Sequence, residues 1–151
     1  MTIRKITNPE EKQQITRIIL EALPEWFEIE ESREAYIRES AEQPMFAAFA
    51  EEQPAGFICL KQTGDVTAEI AVTGVRKEYH RQGIGRALFE AAKKNAAETG
   101  FRFLQVKTVK MGMYPEYDAT NRFYLGVGFR EFEVLPLWDE ANPCQIYIMG
   151  L

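Results

Sequence analysis

The sequence predicts an α/β (α+β) domain whose central sheet is mixed, mostly antiparallel and flanked by helices. Strand-like segments between residues 45 and 75 are separated only by short turns, as in an antiparallel meander. The last of these segments runs through a glycine-containing turn into an amphipathic helix, and a further β-rich segment follows that helix. Because strands joined through a helix pair in parallel, one parallel strand pair is expected within the sheet.

The N-terminal segment predicts a strand followed by a capped helix. Thr2–Ile6 is the predicted first strand. Asn8 can cap a helix in which Pro9 takes the first position and Glu11 the capping-box position. Pro24 ends this helix. Its apolar stripe follows i, i+3, i+4, i+7 spacing and consists of Ile15, Ile18, Ile19 and Ala22.

A second helix is predicted from Ser32 to Ser40, and the meander follows it. The first two strands of the meander are Met45–Glu51 and Gly56–Gln62, joined by a turn at residues 52–55. The third strand, Ala68–Val75, leads into the glycine turn. Short connections of this kind favour antiparallel neighbours.

The C-terminal half predicts one long helix and then shorter elements. The long helix begins at the glycine turn, and Gly100 is its predicted C-terminal stop. The elements after it are a strand at Phe101–Thr108, a helix at Asp118–Val127, strands at Phe129–Leu135 and Cys144–Met149, and a loop around Trp138 between those two strands. The two late strands could present an edge through which two copies pair as a homodimer.

Length and composition limit the class of protein. One domain covering residues 1–151 is expected, because a chain of this size can bury about two thirds of its unfolded surface. A net charge of −5 argues against a nucleic-acid partner and fits a cationic substrate better. No apolar run approaches the roughly 20 residues that cross a bilayer, and no apolar signal segment is evident. We therefore expect a cytoplasmic protein with no membrane partner.

Cys59 and Cys144 lie far apart, and neither has the spacing of a metal knuckle or a redox pair. Both occur in apolar, strand-like stretches. We therefore expect two reduced, buried thiols and no metal site.

The glycine turn Tyr79-His80-Arg81-Gln82-Gly83-Ile84-Gly85-Arg86-Ala87 is a candidate anion site. Gly83 and Gly85 carry no Cβ, so the backbone can turn sharply and approach a ligand, while the first N–H groups of the helix point outward. No Gly-Lys-Ser/Thr follows, and Leu88 stands where a dinucleotide fingerprint has its third glycine. The turn therefore predicts a cradle for a pyrophosphate with basic flanks, or else an ordinary turn.

Preceded by Val75 and its strand, this segment resembles the acetyl-CoA signature of the GNAT family of N-acetyltransferases, Gln/Arg-x-x-Gly-x-Gly/Ala. Gly83 and Gly85 match the small positions, whereas His80 stands where the pattern usually has Gln or Arg. The segment Asn121-Arg122-Phe123-Tyr124-Leu125-Gly126-Val127-Gly128-Phe129 resembles the family's C-terminal signature, and the order of predicted elements is similar as well. The resemblance implies the GNAT fold, with its parallel strand pair at the acetyl-CoA site.

The resemblance also implies an acyl-CoA-dependent N-acetyltransferase. Acetyl would pass from acetyl-CoA to a primary amine by direct attack in a ternary complex, with Tyr124 as the general acid that protonates the departing thiolate. Main-chain groups near Val75 would pair with the pantetheine arm, and those of the glycine turn would hold the pyrophosphate. The implied cofactor-binding residues are Gly74, Val75, Arg76, His80, Arg81, Gln82, Gly83, Ile84, Gly85, Arg86, Ala87 and Asn121.

Glu69 is the candidate general base. It lies six residues before Val75, an offset that resembles the catalytic glutamate of the family's histone-acetylating branch. Other relatives place a glutamate on the following strand, where Gln105 stands in this chain. The alternatives are a water chain without a dedicated base, or a solvated glutamate with no catalytic role.

Candidate acceptor-binding residues are the large aromatics Trp26, Phe27, Tyr36 and Trp138. Acidic residues near the first of them, Glu25 among them, could attract a cation, and cation–π contacts would add about 0.5–2 kcal/mol each. These aromatics could equally be anchors of a loop. We expect a small cationic amine as acceptor. The alternatives are a protein N-terminus or lysine, or a catalytically silent module that only binds CoA.

Overall fold

The computed structural model describes residues 1–151. In chain order the elements are β1 (Thr2–Ile6), α1 (Pro9–Glu21), α2 (Glu30–Ser40), β2 (Met45–Ala50), β3 (Gln53–Gln62), β4 (Thr67–Val75), α3 (Ile84–Thr99), β5 (Phe103–Val109), α4 (Pro115–Gly126), β6 (Arg130–Asp139) and β7 (Asn142–Gly150). A short 3-10 helix, Lys77–Tyr79, lies between β4 and α3. The seven strands form one sheet in the order β1-β2-β3-β4-β5-β7-β6, and β4 and β5 are the parallel pair. The predicted fold class is confirmed.

The β2–β3 hairpin is tighter than the sequence indicates. Its turn consists of Glu51 and Glu52, both in left-handed conformations with φ of 49° and 72°. Residues 52–55 were predicted as the turn, but β3 begins at Gln53, and Pro54 lies opposite Phe49 in the ladder. A two-residue hairpin turn with positive φ at both positions usually contains Gly or Asn, and a Glu-Glu pair carries neither.

The last hairpin also differs from the prediction. β6 continues to Asp139, so Trp138 lies on a strand and not in a loop. Pro136 lies within β6, which is an edge strand paired only with β7, where a residue without an N–H is tolerated. Because β7 lies between β5 and β6, β6 is the only one of the two late strands with an open edge. The helices α2 and α4 begin earlier than predicted, at Glu30 and Pro115.

The chain divides into two compact units, residues 1–61 with 71–95, and residues 62–70 with 96–151. In the first unit, α1 begins as predicted, with Asn8 accepting a hydrogen bond from the Glu11 N–H at 2.9 Å. Ile18 is 45% exposed, so its predicted place in the stripe was wrong, and Leu20 is buried there. The core of this unit consists of Ile6, Ile15, Ile19, Leu20, Leu23, Met45, Ala47, Phe49, Phe57, Cys59 and Val72.

In the second unit, the strands β5, β7 and β6 pair antiparallel, and β5 pairs in parallel with the start of β4. That parallel ladder joins Thr67, Ala68 and Glu69 to Phe103, Leu104 and Gln105. The buried side chains of this unit include Leu104, Val106, Tyr124, Phe129 and Tyr147. None of the chain's helices has the length and apolar composition needed to cross a membrane.

Candidate active site

The glycine turn has the backbone conformation of an anion site. Arg81 and Gly83 both adopt left-handed conformations, with φ of 62° and 80°. The first bond of α3 runs from the Ala87 N–H to the Gly83 carbonyl at 3.0 Å, so Gly83 is the cap residue immediately before the helix. The α-helical pattern provides no acceptor for the N–H groups that precede this bond. They and the positive end of the helix dipole can therefore bind an anion.

The turn fits the diphosphate of acetyl-CoA on two observations. A Cβ built on Gly83 would meet nothing within 4 Å, so the space beside the backbone is open and the left-handed φ alone requires glycine. Arg81 holds a left-handed conformation without being glycine, which costs about 1–2 kcal/mol and is typical of functional turns. Gly85 lies within the first turn of α3.

The end of β4 is held by contacts within the first unit. The Arg76 N–H donates to the Ala55 carbonyl at 2.8 Å, and His80 Nε2 lies 2.6 Å from the Val75 carbonyl oxygen. The Arg76 N–H is therefore engaged in the sheet. A Cβ on Gly74 would lie 2.9 Å from Leu23 Cδ1, so this glycine is also required for packing against the helix side of the unit. His80 thus contacts the backbone at the end of β4, a local role that the sequence did not indicate.

Asn121 has a structural role inside the second unit. Its side chain is completely buried, and Nδ2 donates to the carbonyls of Val109 at 2.8 Å and Tyr117 at 2.7 Å. Its Oδ1 accepts from the Tyr147 hydroxyl at 2.5 Å. Both amide hydrogens are thus used, and the residue fixes α4 to β5 and β7. Burial raises the pKa of Tyr147, which keeps this hydroxyl protonated as a donor.

Tyr147→Phe should destabilise the protein by about 1–3 kcal/mol, because Asn121 Oδ1 would remain buried without its donor. Chemical denaturation followed by circular dichroism would measure this loss. Tyr114→Phe is the control, since its hydroxyl bonds an exposed carbonyl at 3.2 Å and its removal should change stability little. Equal stability of wild type and Tyr147→Phe would show that the buried hydrogen bond contributes nothing.

Tyr124 lies on α4 and is fixed by aromatic neighbours. It is 5% exposed, and its ring centroid lies 5.7 Å from Phe123, 5.6 Å from Phe129 and 6.0 Å from Tyr147. Gly128 ends the helix with φ of 111°, as predicted, and the Phe129 N–H donates to the Tyr124 carbonyl at 3.0 Å. These contacts leave the ring few orientations, which suits a group that must present its hydroxyl in one place.

Glu69 is a buried carboxylate at the end of the parallel ladder. It is 4% exposed and pairs with Gln105 in the ladder. Its Oε1 accepts from Gln105 Nε2 at 2.7 Å and lies 3.2 Å from Lys107 Nζ. Glu69, which lies between Ala68 and Ile70, requires a partner for its charge, and Lys107 is that partner. Lys107 is not among the residues predicted from the sequence, although its alternation with Gln105 on one strand could have indicated it.

Glu69 and Tyr124 lie on opposite faces of the second unit's strands. Tyr147 contacts Tyr124 and lies opposite Val106 in the β5–β7 ladder, whereas Gln105 and Lys107 flank Val106 and point the other way. Glu69 and Gln105 are the last pair of the β4–β5 ladder.

Three of the predicted acceptor-binding aromatics belong to the first unit. Trp26, Phe27 and Tyr36 are partly buried against its core, and the rings of Phe27 and Tyr36 lie 5.9 Å apart, edge to face. Trp26 also lies edge to face with His80, at 6.3 Å. Phe27 and Tyr36 therefore serve at least as anchors of the loop before α2.

Glu25 and Trp138 are the remaining candidates for binding the acceptor, and they lie in different surroundings. Glu25 bonds Lys77 Nζ at 2.5 Å, and this bond lowers the pKa of Glu25, so its charge is already compensated. Trp138, in the second unit, is 48% exposed on the edge strand β6. An exposed indole on an edge strand is available to a ligand or to another protein surface.

Both cysteines are free and fully buried, as expected from the sequence. Burial raises the pKa of Cys59 to about 12 and also raises that of Cys144. Because thiolates and not thiols react, neither cysteine is suited to act as a nucleophile near neutral pH.

Known structures share the whole fold. A Desulfovibrio desulfuricans protein described as a GNAT-family acetyltransferase superposes with a TM-score of 0.87 at 21% identity, covering 99% of this chain and 98% of the other. An aminoglycoside 6′-N-acetyltransferase complexed with coenzyme A gives 0.79 at 20% identity, covering 99% and 97%. The PaiA N-acetyltransferase of Thermoplasma acidophilum, also in complex with coenzyme A, gives 0.70 at 20%, covering 97% and 98%. No curated protein is significantly similar in sequence to this chain.

The sequence model of the acetyltransferase (GNAT) family matches residues 12–129, which include most of α1, the glycine turn and all of α4. The chain therefore belongs to the GNAT family of acyl-CoA-dependent N-acetyltransferases. This confirms the family resemblance, the enzyme class and acetyl-CoA as the donor. The two coenzyme A complexes agree with that donor.

Proposed function

We propose that the chain works as one domain, residues 1–151, that transfers acetyl from acetyl-CoA to the primary amine of a small molecule by direct attack in a ternary complex. The observation that carries this proposal is Glu69, a buried carboxylate held by Gln105 and Lys107 where the parallel ladder ends. Burial of a carboxylate costs free energy of folding, even when the group is hydrogen-bonded. Such groups cluster at functional sites.

The glycine turn holds the donor. The N–H groups at the start of α3 bind the diphosphate, and Arg81 and Arg86 add positive charge. Main-chain groups around Gly74, Val75 and Arg76 pair with the pantetheine arm. Bound acetyl-CoA supplies an acetyl thioester. Gly83 provides the conformation on which this binding depends.

Tyr124 acts as the general acid. Its phenol donates its proton to the sulfur that leaves during attack by the amine. The ring contacts with Phe123, Phe129 and Tyr147 hold the hydroxyl in a fixed position. No covalent acetyl-enzyme is required, and both buried cysteines are unsuited to form one.

Glu69 accepts the proton that the amine loses. The hydrogen bond donated by Gln105 orients the Glu69 carboxylate, and Lys107 balances the charge of that carboxylate. Glu69→Gln should lower kcat/KM about 100-fold at pH 7. The deficit should shrink as the pH rises, because the amine then arrives already deprotonated.

The pH profile of kcat/KM between pH 6.5 and 9.5 measures this effect. Glu42→Gln, at an exposed position, is the matched control and should follow the wild type. A Glu69→Gln deficit that does not change with pH would remove Glu69 as the base and favour a water chain.

The acceptor is a small molecule whose amine is cationic in solution. Net charge of −5 and the aminoglycoside acetyltransferase among the similar structures support this class. Trp26 and Trp138 are the aromatic side chains that could contact it. A protein N-terminus or lysine is the alternative acceptor, and a CoA-binding module without transferase activity is the alternative function.

Release of free CoA thiol from acetyl-CoA, followed with a thiol reagent across a panel of small amines and peptides, tests the proposal. The buried cysteines should contribute little to the signal, since burial raises the pKa of both thiols. Thiol release that depends on a small amine is the expected result. Release only with peptides would change the acceptor class, and tight CoA binding with no release from any amine would favour the silent module.

We also propose a cytoplasmic homodimer. Two free, reduced cysteines fit a reducing compartment. β6 offers an open edge with exposed Phe132, Val134, Leu137 and Trp138. Light scattering after size-exclusion chromatography would show about twice the chain mass of 17.4 kDa, and a monomer at micromolar concentration would contradict this assembly.

A further inference from the structure

One face of the second unit carries an ordered set of charges. Residues directly opposite in a ladder share a face, and the ladders of β4, β5, β7 and β6 place two rows on this one. The first row consists of Glu69, Gln105, Ile148 and Arg130, and the second of Lys107, Ile146 and Glu133. We call this surface the charged face, defined by Glu69, Gln105, Lys107, Arg130 and Glu133. Its charges sum to zero.

Within the pair Glu69 and Lys107, the two charges differ in accessibility. The Glu69 side chain is 6% exposed, whereas the Lys107 side chain is 32% exposed. Gln105 Nε2 and Lys107 Nζ both contact the carboxylate oxygen Oε1 of Glu69. Of the two side chains, that of Lys107 is therefore the more accessible to a ligand.

An acceptor that carries only positive charge would be repelled by Lys107 at this position. Its ammonium would have to approach Lys107 to reach Glu69, and like charges at close range repel. An acceptor that also carries a carboxylate would meet Lys107 with the opposite charge. Its amine would then lie next to Glu69, because the two side chains are only 3.2 Å apart.

From this geometry we infer that the acceptor is an amino-carboxylate, an amino acid or a related zwitterion, whose carboxylate binds Lys107. The inference rests on the proposed function and narrows its substrate class. In the reaction the amine nitrogen forms the new N–C bond, and the C–S bond breaks. The amine proton passes to Glu69, the thiolate takes its proton from Tyr124, and the acceptor carboxylate remains unchanged on Lys107.

Matched acceptors test this inference. Amino acids and ω-amino acids are compared with their carboxamides, which keep the amine and lose the negative charge. The ammonium group of an α-amino amide is more acidic than that of the amino acid, which favours acetylation of the carboxamide. This difference works against the expected result. We expect kcat/KM at least 10-fold higher for the carboxylates, mainly through KM. Equal rates, or faster reaction of the carboxamides, would overturn the inference.

Variants then assign the preference to Lys107. Lys107→Met should remove the preference for carboxylates, Lys107→Arg should retain most of it, and Lys107→Gln serves if the methionine variant does not fold. Lys110→Met is the control, since Lys110 is exposed just beyond β5. A purely structural ion pair would affect acid and amide acceptors equally, so an unchanged ratio in Lys107→Met would contradict a role in binding the acceptor.

A binding measurement separates this inference from the proposed function. Thermal stabilisation of the CoA-bound protein is compared for N-acetyl amino acids and N-acetyl amino acid amides. Stabilisation by the acids alone, lost in Lys107→Met, would support the carboxylate site even if no amine were acetylated. If amines are acetylated but acids and amides stabilise equally, the inference fails and the proposed function stands.

Discussion

Tyr124→Phe should lower kcat by about 10²–10⁴-fold while the affinity for acetyl-CoA stays near that of the wild type. The substitution removes only the hydroxyl that protonates the departing thiolate. The ring contacts with Phe123, Phe129 and Tyr147 remain, so neither α4 nor the rest of the second unit should change. The loss should therefore be confined to the chemical step.

Steady-state turnover and equilibrium binding of CoA together measure this prediction. Tyr117→Phe, the same substitution on the same helix, is the control and should keep wild-type turnover. Unchanged turnover in Tyr124→Phe would remove Tyr124 from the mechanism. A matching loss of CoA affinity would instead make it a binding residue.

Gly83→Ala should raise the dissociation constant of acetyl-CoA about 5–30-fold. The residue has φ of 80°, and an alanine in this conformation costs about 1–2 kcal/mol. The Cβ itself would meet nothing within 4 Å, so crowding would not prevent folding. The turn should therefore relax to another conformation in the free protein, and binding of the diphosphate must restore the original one at that cost.

Isothermal titration with acetyl-CoA measures the effect of Gly83→Ala. Gly64→Ala is the matched control, because Gly64 lies in a turn without a positive φ, and its Cβ would be in ordinary contact with Thr67 at 4.0 Å. It should bind acetyl-CoA as the wild type does. Wild-type affinity in Gly83→Ala would show that the diphosphate does not depend on the left-handed conformation of the turn.

Much of the fold could be predicted because its signals are local. Asn8 and Pro9 start α1 through their own backbone chemistry, and Gly100 and Gly128 adopt the left-handed conformations that end two helices. The glycine turn was evident for the same reason. The Glu51-Glu52 turn was missed because its conformation is imposed by the strands that it joins and not favoured by its residues.

The candidate site was less predictable because its roles depend on contacts between distant segments. Asn121 lies in a helix signature, but its amide is taken up by β5, α4 and β7, which no local pattern indicates. Lys107 acquires its role only because the parallel ladder brings Glu69 next to Gln105. The strand β6 continues through Trp138 despite Pro136, since β6 lies at the edge of the sheet.

Initial velocities measured while both acetyl-CoA and the best amine are varied test the central claim most directly. Direct attack in a ternary complex predicts double-reciprocal lines that intersect, with one free thiol released for each acetylated amine. Parallel lines would indicate a covalent acetyl-enzyme and contradict direct attack. Thiol release that does not depend on the amine would contradict transfer to an amine altogether.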